Sequence, residues 1–214
     1  MLLPAFFDSQ YTCTEPTAFR LNQSFWSWFK NTGRGYTIHT LTDRATAPLF
    51  TVETRLSGKY RVFKDGQGNH LCHLQRNFSS KKEAWILTRG EGEEKETLFS
   101  VHYDYLGMKL GITLNPAAAS WNGDERGFET ESSAGVQLQT RSLNMWGSTY
   151  TVTLGDMTVM RMTCTNMMHN APSSFKVTPP KWDVDVVEEI NLVLAATLAV
   201  VVSDSFSEMH LYMV

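Results

Sequence analysis

Residues 190–203 read INLVLAATLAVVVS, and this apolar run near the C-terminus decides how the rest of the chain must be arranged. Its polar side chains are Asn191, Thr197 and Ser203. The run is about two-thirds of the roughly 20 residues that a helix needs to cross a bilayer, a length typical of a buried core helix. A helix that is apolar on every side has no face to turn toward water. The sequence therefore predicts that the preceding residues wrap around a C-terminal helix.

The residues just before this run predict where the helix begins. Asp185 is followed three residues later by Glu188, which is the spacing of a capping pair. Glu188 and Glu189 also place negative charge at the positive end of the helix dipole. We therefore expect the N-terminal cap of the helix at Asp185.

Composition and charge indicate one folded domain without a bulk attraction for polyanions. The chain has 214 residues, of which 42% are hydrophobic and 19% charged, and its formal net charge is -3. No Ser/Gly/Pro-rich linker divides it, so the sequence predicts a single domain over residues 1–214 with a core at about 20–206. A contact with nucleic acid or an anionic membrane would need a local basic patch. We predict no nucleic-acid partner.

The cysteines and the N-terminus predict a reducing compartment. Cys13, Cys72 and Cys164 are odd in number and widely spaced, without a CxxC pair, so free thiols are expected. The first ten residues, MLLPAFFDSQ, lack a basic segment and contain Pro4 and Asp8, which makes a poor secretory signal. The sequence predicts a cytoplasmic protein that is not transmembrane, with a peripheral membrane or nuclear location left open.

Before the apolar run the chain repeats a strand–turn–strand pattern. The first copy is YTIHTLTD at 36–43, followed by LFTVET, and the second is YRVFKD at 60–65, followed by GQGN and HLCHLQ. A third copy is YTVTLGD at 150–156, followed by MTVMRMTCT. Each has the alternation and turn residues of a β-hairpin, so an antiparallel meander is expected. On the last returning strand one face would carry Met160, Met162 and Cys164.

Further strand candidates separate the hairpins and bring the total to about a dozen. They lie at 25–29, 84–88, 98–103, 109–114, 136–141 and 174–178. The segment 115–127, NPAAASWNGDERG, is the longest loop candidate. Loops of this length are more often functional than ordinary connectors.

A dozen strands followed by one apolar helix resembles the tubby C-terminal-like superfamily. The LURP-one-related branch is the most similar, with phospholipid scramblases as more distant relatives. The resemblance is carried by the order of YTIHTLTDRATAPLFTVET, YRVFKDGQGNHLCHLQR, WILTRGEGE with LFSVH, and FKVTPPKWDVDVVEEINLVLAATLAVVVSD. Two stretches depart from the family pattern, since DRATAP replaces an Asp-Gly turn and PPKWD replaces Pro-Gly-Val-Asp. The resemblance implies a mainly β fold, a closed antiparallel β-barrel of about 12 strands enclosing the hydrophobic C-terminal α-helix.

The resemblance also implies a function, which is that of a non-enzymatic adaptor in signalling or defence. Such a domain would bind a phosphoinositide or another anionic membrane lipid through Lys and Arg side chains on the outside of the barrel. Alternate strand positions project from one face, and two or three converging cations would hold a phosphate headgroup. The alternative is that these are solvated side chains of outer strands. The ligand-binding candidates are Lys59, Arg61, Lys64, Lys81 and Lys82.

The motif His70-x-Cys72-His73 contains ligand types that suit zinc. Regular alternation along a strand places His70 and Cys72 on one face and His73 on the other, so the three cannot meet at one ion. The sequence predicts no metal site and no cofactor. It has no GxSxG, P-loop or dinucleotide Gly pattern, and it predicts no enzyme. A cysteine nucleophile stays open, because the thiols are not located by the sequence.

An aromatic cluster and a long loop supply the alternative function. On a strand, Phe25 and Phe29 would face one way and Trp26 and Trp28 the other. Outward Trp side chains could enter a lipid interface or contact a protein, or these residues could close one end of the barrel. The alternative function is therefore a protein-interaction scaffold without a lipid ligand, which uses these Trp residues or the loop 115–127. Lipid scrambling would require the helix to enter a membrane, for which it is too short.

Overall fold

The computed structural model describes residues 7–24, 35–41, 47–55, 60–77, 85–90, 94–104, 109–115, 136–143, 148–166 and 179–211. A 3-10 turn, Ser9–Tyr11, precedes the first strand. The remaining elements are β1 Thr17–Gln23, β2 Tyr36–Thr40, β3 Phe50–Arg55, β4 Tyr60–Asp65, β5 His70–Arg76, β6 Trp85–Arg89, β7 Glu96–Asp104, β8 Lys109–Leu114, β9 Gln137–Ser142, β10 Thr149–Leu154, β11 Met157–Cys164, β12 Lys181–Val186 and α1 Leu192–Leu211.

The twelve strands found in the described residues close into one antiparallel barrel. Each strand pairs with its neighbours in sequence, and β1 also pairs with β12, from Thr17 opposite Val186 to Asn22 opposite Lys181. Closure leaves no sheet edge exposed to pair with another chain. The predicted fold class is therefore confirmed.

The three hairpins predicted from the sequence are confirmed as β2–β3, β4–β5 and β10–β11. In the last of them Gly155 takes a left-handed turn conformation, with φ 57°, which favours glycine. Met160, Met162 and Cys164 are all buried, which confirms that they share one face of β11. The strand candidates at 25–29 and 174–178 lie outside the described residues, and so do residues 116–127 of the long loop.

Two strands that are absent from the predicted set, β1 and β12, close the barrel. In β12 the side chains of Trp182, Val184 and Val186 are buried, while Asp183 and Asp185 between them are not. This alternation is a strand signal. The expectation that Asp185 caps the helix is wrong, because Asp185 pairs with Ala18 and Arg161 inside the sheet.

The helix α1 fills the barrel, as the apolar run predicts. Every residue from 193 to 204 is buried, so no face of this stretch meets solvent. The helix begins at Leu192 and extends beyond the apolar run to Leu211. Its N-cap is Asn191, whose Oδ1 accepts hydrogen bonds from the backbone N–H groups of Val193 (3.0 Å) and Leu194 (3.4 Å).

The segment before the first strand anchors the start of this helix. Thr12 forms a β-bridge with Asn191. The backbone N–H of Cys13 donates to the carbonyl of Ile190 at 3.0 Å, and the N–H of Glu189 donates to the carbonyl of Cys13 at 2.8 Å. These bonds fix the helix start at one end of the barrel, and α1 then runs toward the other. Over the described part of the chain, no helix combines the length and the apolar composition that crossing a bilayer requires.

Candidate functional site

The up-and-down topology gives the barrel two ends that differ in charge. Odd-numbered strands finish, and even-numbered strands begin, at the end reached by the C-terminal part of α1. We call this the basic end, because its outermost three strand positions carry Arg55, Arg61, Arg76, Lys109, Arg141 and Lys181. Acidic residues at the same strand positions are Glu53, Asp104 and Asp183, and α1 adds Asp204, whose carboxylate pairs with Arg61.

The opposite end, where α1 begins, is acidic. Its described strand ends, turns and N-terminal segment carry the cations Lys64, Arg89 and Lys95. Acidic residues outnumber these cations, so we call this the acidic end. Its described acidic residues are Asp8, Glu15, Asp65, Glu94, Glu96, Asp156, Asp185, Glu188 and Glu189.

Exposed cations lie around the rim of the basic end. Arg55, Lys109, Arg141 and Lys181 are all exposed. Lys109 and Arg141 belong to the adjacent strands β8 and β9. Their neighbours Leu110 and Thr140 lie opposite each other, and both have buried side chains that face inward. Since successive side chains alternate, Lys109 and Arg141 both face outward beside each other. They form the best-defined pair of neighbouring cations on this rim.

Inside the basic end, a buried ion pair joins the barrel wall to the helix. The Arg61 Nη2 donates to Asp204 Oδ2 at 3.0 Å, and the Tyr36 hydroxyl donates to Asp204 Oδ1 at 2.7 Å. The side chains of Arg61 and Asp204 are only 5% and 1% exposed. Buried charges are tolerated when they are paired and hydrogen-bonded. The helix is thus held at this end by directed polar contacts as well as by apolar packing.

Trp85 connects this buried pair to the rim. The Arg61 guanidinium carbon lies 5.8 Å from the centroid of the Trp85 ring, and the Arg76 guanidinium carbon lies 5.5 Å from it. Both distances are within the range of a cation–π interaction. Arg76 is opposite Trp85 in the β5–β6 register, so both side chains belong to the inner face near the end of the strands.

The candidate lipid ligands predicted from the sequence are not brought together in the described residues. The outward placement of Arg61 is wrong, because this side chain faces the barrel interior and binds Asp204. Lys64 belongs to the acidic end, and its Nζ donates at 2.6 Å to Oε1 of Glu53 on the adjacent strand β3. This hydrogen bond lowers the pKa of Glu53. Lys59, Lys81 and Lys82 lie outside the described residues.

The sequence of the connecting segments follows the same division of charge. Segments that join strands at the basic end contain Lys30, Arg34, Lys59, Lys81, Lys82 and Lys176, with Glu83 as their carboxylate. Segments that join strands at the acidic end contain the acidic runs EGEE at 91–94 and DERGFETE at 124–131. Most of these residues lie outside the described ranges, and they are assigned to one end by their order along the chain.

The histidine motif differs from the regular alternation expected for it. Cys72 faces the core, but His70 and His73 meet on the outer wall, with their Nε2 atoms 3.1 Å apart. A bulge in the β4–β5 register pairs Cys72 with Phe63 and His70 with Lys64, which leaves Leu71 without an opposite residue. The prediction that His70 and Cys72 share a face is therefore wrong.

The three thiols are buried within the barrel and are free of disulfides. Burial raises the pKa of Cys13, Cys72 and Cys164, most strongly that of Cys72. A thiol with a raised pKa stays protonated at neutral pH, and the protonated form is a poor nucleophile.

Two signals in the sequence would have identified the basic end. The first is the sign of the charges in alternate connections, which an up-and-down meander sorts to opposite ends. The second is Asp204, a carboxylate directly after the apolar run, in a position that a continuing helix must bury. The identity of its partner has no sequence signal, since Arg61 and Asp204 are 143 residues apart.

Comparison with known proteins identifies the fold. The sequence model of the LURP-one-related family matches residues 17–204 of this chain. A crystal structure of a protein from Arabidopsis thaliana superposes with a TM-score of 0.57 at 18% sequence identity, and the match covers 94% of this chain and 98% of that one. No curated protein sequence matches the chain. At this identity the structural similarity concerns the fold alone.

Proposed function

The chain belongs to the LURP-one-related family, within the tubby-like fold superfamily, and on that premise we propose that it binds anionic membrane lipids through the basic end of its barrel. The ligands would be phosphoinositide headgroups or other anionic lipids, and the domain would act as an adaptor. The observation that carries the proposal is the separation of charge between the two ends of the barrel.

This separation matters because the overall charge of the chain is unfavourable. With a formal net charge of -3, the protein as a whole is not attracted to an anionic surface. Charges beyond about 10 Å are largely screened at 0.1 M salt, so a membrane would sense mainly the end that approaches it. Each Lys or Arg near an anionic surface contributes about 1 kcal/mol. Arg55, Lys109, Arg141 and Lys181 would therefore orient the barrel with its acidic end away from the lipid.

A role without catalysis in a reducing compartment is part of the same proposal. Burial and raised pKa values of Cys13, Cys72 and Cys164 disfavour a cysteine nucleophile in the described part of the chain. The same three thiols are free, which is typical of cytoplasmic proteins.

The test is co-sedimentation of the purified chain with phosphatidylcholine vesicles, with and without phosphatidylserine or a phosphoinositide, at low and physiological salt. We expect binding only to the anionic vesicles, and weaker binding as salt increases. Preference for the phosphoinositide over an equal surface charge of phosphatidylserine would identify a headgroup-specific site.

A matched pair of double variants separates the basic end from a general charge effect. Lys109→Gln with Arg141→Gln removes two neighbouring rim cations and should weaken vesicle binding by about 30-fold, at about 1 kcal/mol for each. Lys95→Gln with Arg161→Gln removes the same charge from exposed positions away from this rim and should leave binding nearly unchanged.

Equal loss of binding in the two double variants would contradict the assignment to the basic end. Absence of binding to every vesicle would contradict the lipid function and favour the second candidate, a scaffold for protein partners.

A further inference from the structure

His70 and His73 form a close imidazole pair on the outer wall of the barrel. The pair does not belong to the basic end. Their Nε2 atoms are 3.1 Å apart, and the ring centroids are 4.2 Å apart. Because the centroids are farther apart than the nitrogens, the rings diverge behind the two Nε2 atoms. The two rings therefore approach each other through their Nε2 atoms.

The fold creates this pair through the β-bulge between β4 and β5. His70 lies opposite Lys64 and Cys72 opposite Phe63, so β5 has one extra residue, Leu71, between these pairs. The extra residue shifts His70 to the outer face that His73 already occupies. His70 is exposed and His73 is partly exposed, so solvent ions have access to the pair.

The spacing matches that of two imidazole ligands on one transition-metal ion. Zinc–nitrogen bonds are about 2.0–2.1 Å long, so two neighbouring ligand nitrogens are separated by about 2.9 Å at a right angle and about 3.4 Å at the tetrahedral angle. The observed 3.1 Å lies between these limits. We propose that His70 and His73 bind a divalent transition-metal ion of the zinc class through their Nε2 atoms.

The ion would take the position of the proton that one Nε2 now donates to the other. Binding requires both rings to be neutral and to carry their remaining proton on Nδ1, since each Nε2 must offer its lone pair. Imidazole suits zinc, copper and nickel, whereas magnesium prefers oxygen ligands. The site should therefore bind zinc, copper or nickel in preference to magnesium.

The surroundings determine how many ligands the protein supplies. Among the described residues, no third His, Cys, Asp or Glu completes a metal-binding group with the pair, so water fills the other positions. Cys72 faces the core and is excluded by its direction. The ammonium of Lys64, opposite His70, would repel a dication, but its Nζ is 2.6 Å from Glu53 Oε1 and its charge is largely compensated.

The test is a calorimetric titration of the intact chain with zinc chloride at pH 7.5, with magnesium chloride as the hard-ion control. We expect saturable binding of one zinc ion per chain and no binding of magnesium. Loss of a second-shell partner weakens metal binding by about 10–100-fold, so the loss of a ligand in His70→Gln or His73→Gln should weaken it by at least about tenfold.

His39→Gln is the matched control, because it removes a histidine from β2 without touching the pair. It should bind zinc as the unchanged chain does. Imidazole NMR resonances provide the second readout, since zinc should shift the ring signals of His70 and His73 together in a folded protein. Zinc binding that persists in His70→Gln, or ring shifts confined to other histidines, would overturn the proposal.

Discussion

The two ends of the barrel hold the same helix by different means. At the acidic end, Asn191 caps the first turn and backbone bonds to Cys13 fix the entry. At the basic end, the helix carries a buried carboxylate, Asp204, that binds Arg61 and Tyr36 of the wall. The positive end of the helix dipole thus lies among carboxylates. The difference shows that apolar burial provides the contact along the helix, while polar contacts set its position at each end.

The largest expected effect comes from a change that affects both ends at once. Leu194 is 1% exposed inside the barrel, and Leu194→Lys would bury an ammonium without a partner. We expect loss of cooperative folding, measured by thermal melting and gel filtration. Leu143→Lys makes the same substitution at a residue that is 48% exposed and should melt like the unchanged chain. A soluble, cooperatively melting Leu194→Lys monomer would refute the buried-helix interpretation.

Removing the ion pair at the basic end should lower the free energy of unfolding less than Leu194→Lys does. Asp204→Ala leaves the Arg61 guanidinium buried without its carboxylate, and removing one partner of a buried pair destabilises a protein by about 3–5 kcal/mol. Urea unfolding of Asp204→Ala and of Asp156→Ala, which removes a carboxylate from an exposed turn, measures the difference.

A double variant tests whether charge or shape matters at the basic end. Replacing both partners, as in Arg61→Met with Asp204→Leu, should recover most of the lost stability, because no buried charge is left unpaired. If the double variant were as unstable as Asp204→Ala alone, the ion pair would not be the cause.

Removing the helix cap at the acidic end should lower the free energy of unfolding less than Asp204→Ala does. Asn191→Ala removes the side chain that accepts from the N–H groups of Val193 and Leu194, and loss of an N-cap costs about 1 kcal/mol. Asn191→Asp keeps an acceptor and should restore stability in the same urea measurement. If Asn191→Ala cost as much as Asp204→Ala, the two ends would not differ in the way the contacts indicate.

The part of the fold that could be predicted from the sequence is the part that local patterns determine. The run 190–203 and the three hairpins are local patterns, with apolar or alternating residues close in sequence, and they predict the buried helix and the antiparallel meander correctly. Closure of the meander into a barrel was implied by the family resemblance. The strand β12 was missed because its carboxylates Asp183 and Asp185 match a helix cap as well as the outer face of a strand.

The candidate site was less predictable, because it depends on contacts between distant residues and on one irregularity. Lys59 and Arg61 were assigned to an outer face, but the inner or outer direction of a strand residue depends on register with the whole barrel. Arg61 faces inward to meet Asp204, and only the folded chain brings the two together. The pair of His70 and His73 depends on a bulge, which regular alternation does not predict.

The smallest expected effect concerns the outer wall between the two ends. Glu53 at the basic end accepts a hydrogen bond from Lys64 at the acidic end, and this bond lowers the pKa of Glu53. A carboxyl group with a lowered pKa in the folded state stabilises the protein above its unfolded pKa, and this contribution is lost as pH falls through the folded value.

The Glu53 side chain is 48% exposed, and pairs of this kind contribute at most about 1 kcal/mol. Glu53→Gln should therefore lower the unfolding free energy slightly at pH 7, and this difference should disappear as pH falls through the lowered pKa of Glu53. Urea unfolding of both proteins between pH 2 and pH 7 measures this difference. A difference that stays constant with pH would mean that packing, and not the charge of Glu53, makes the contribution.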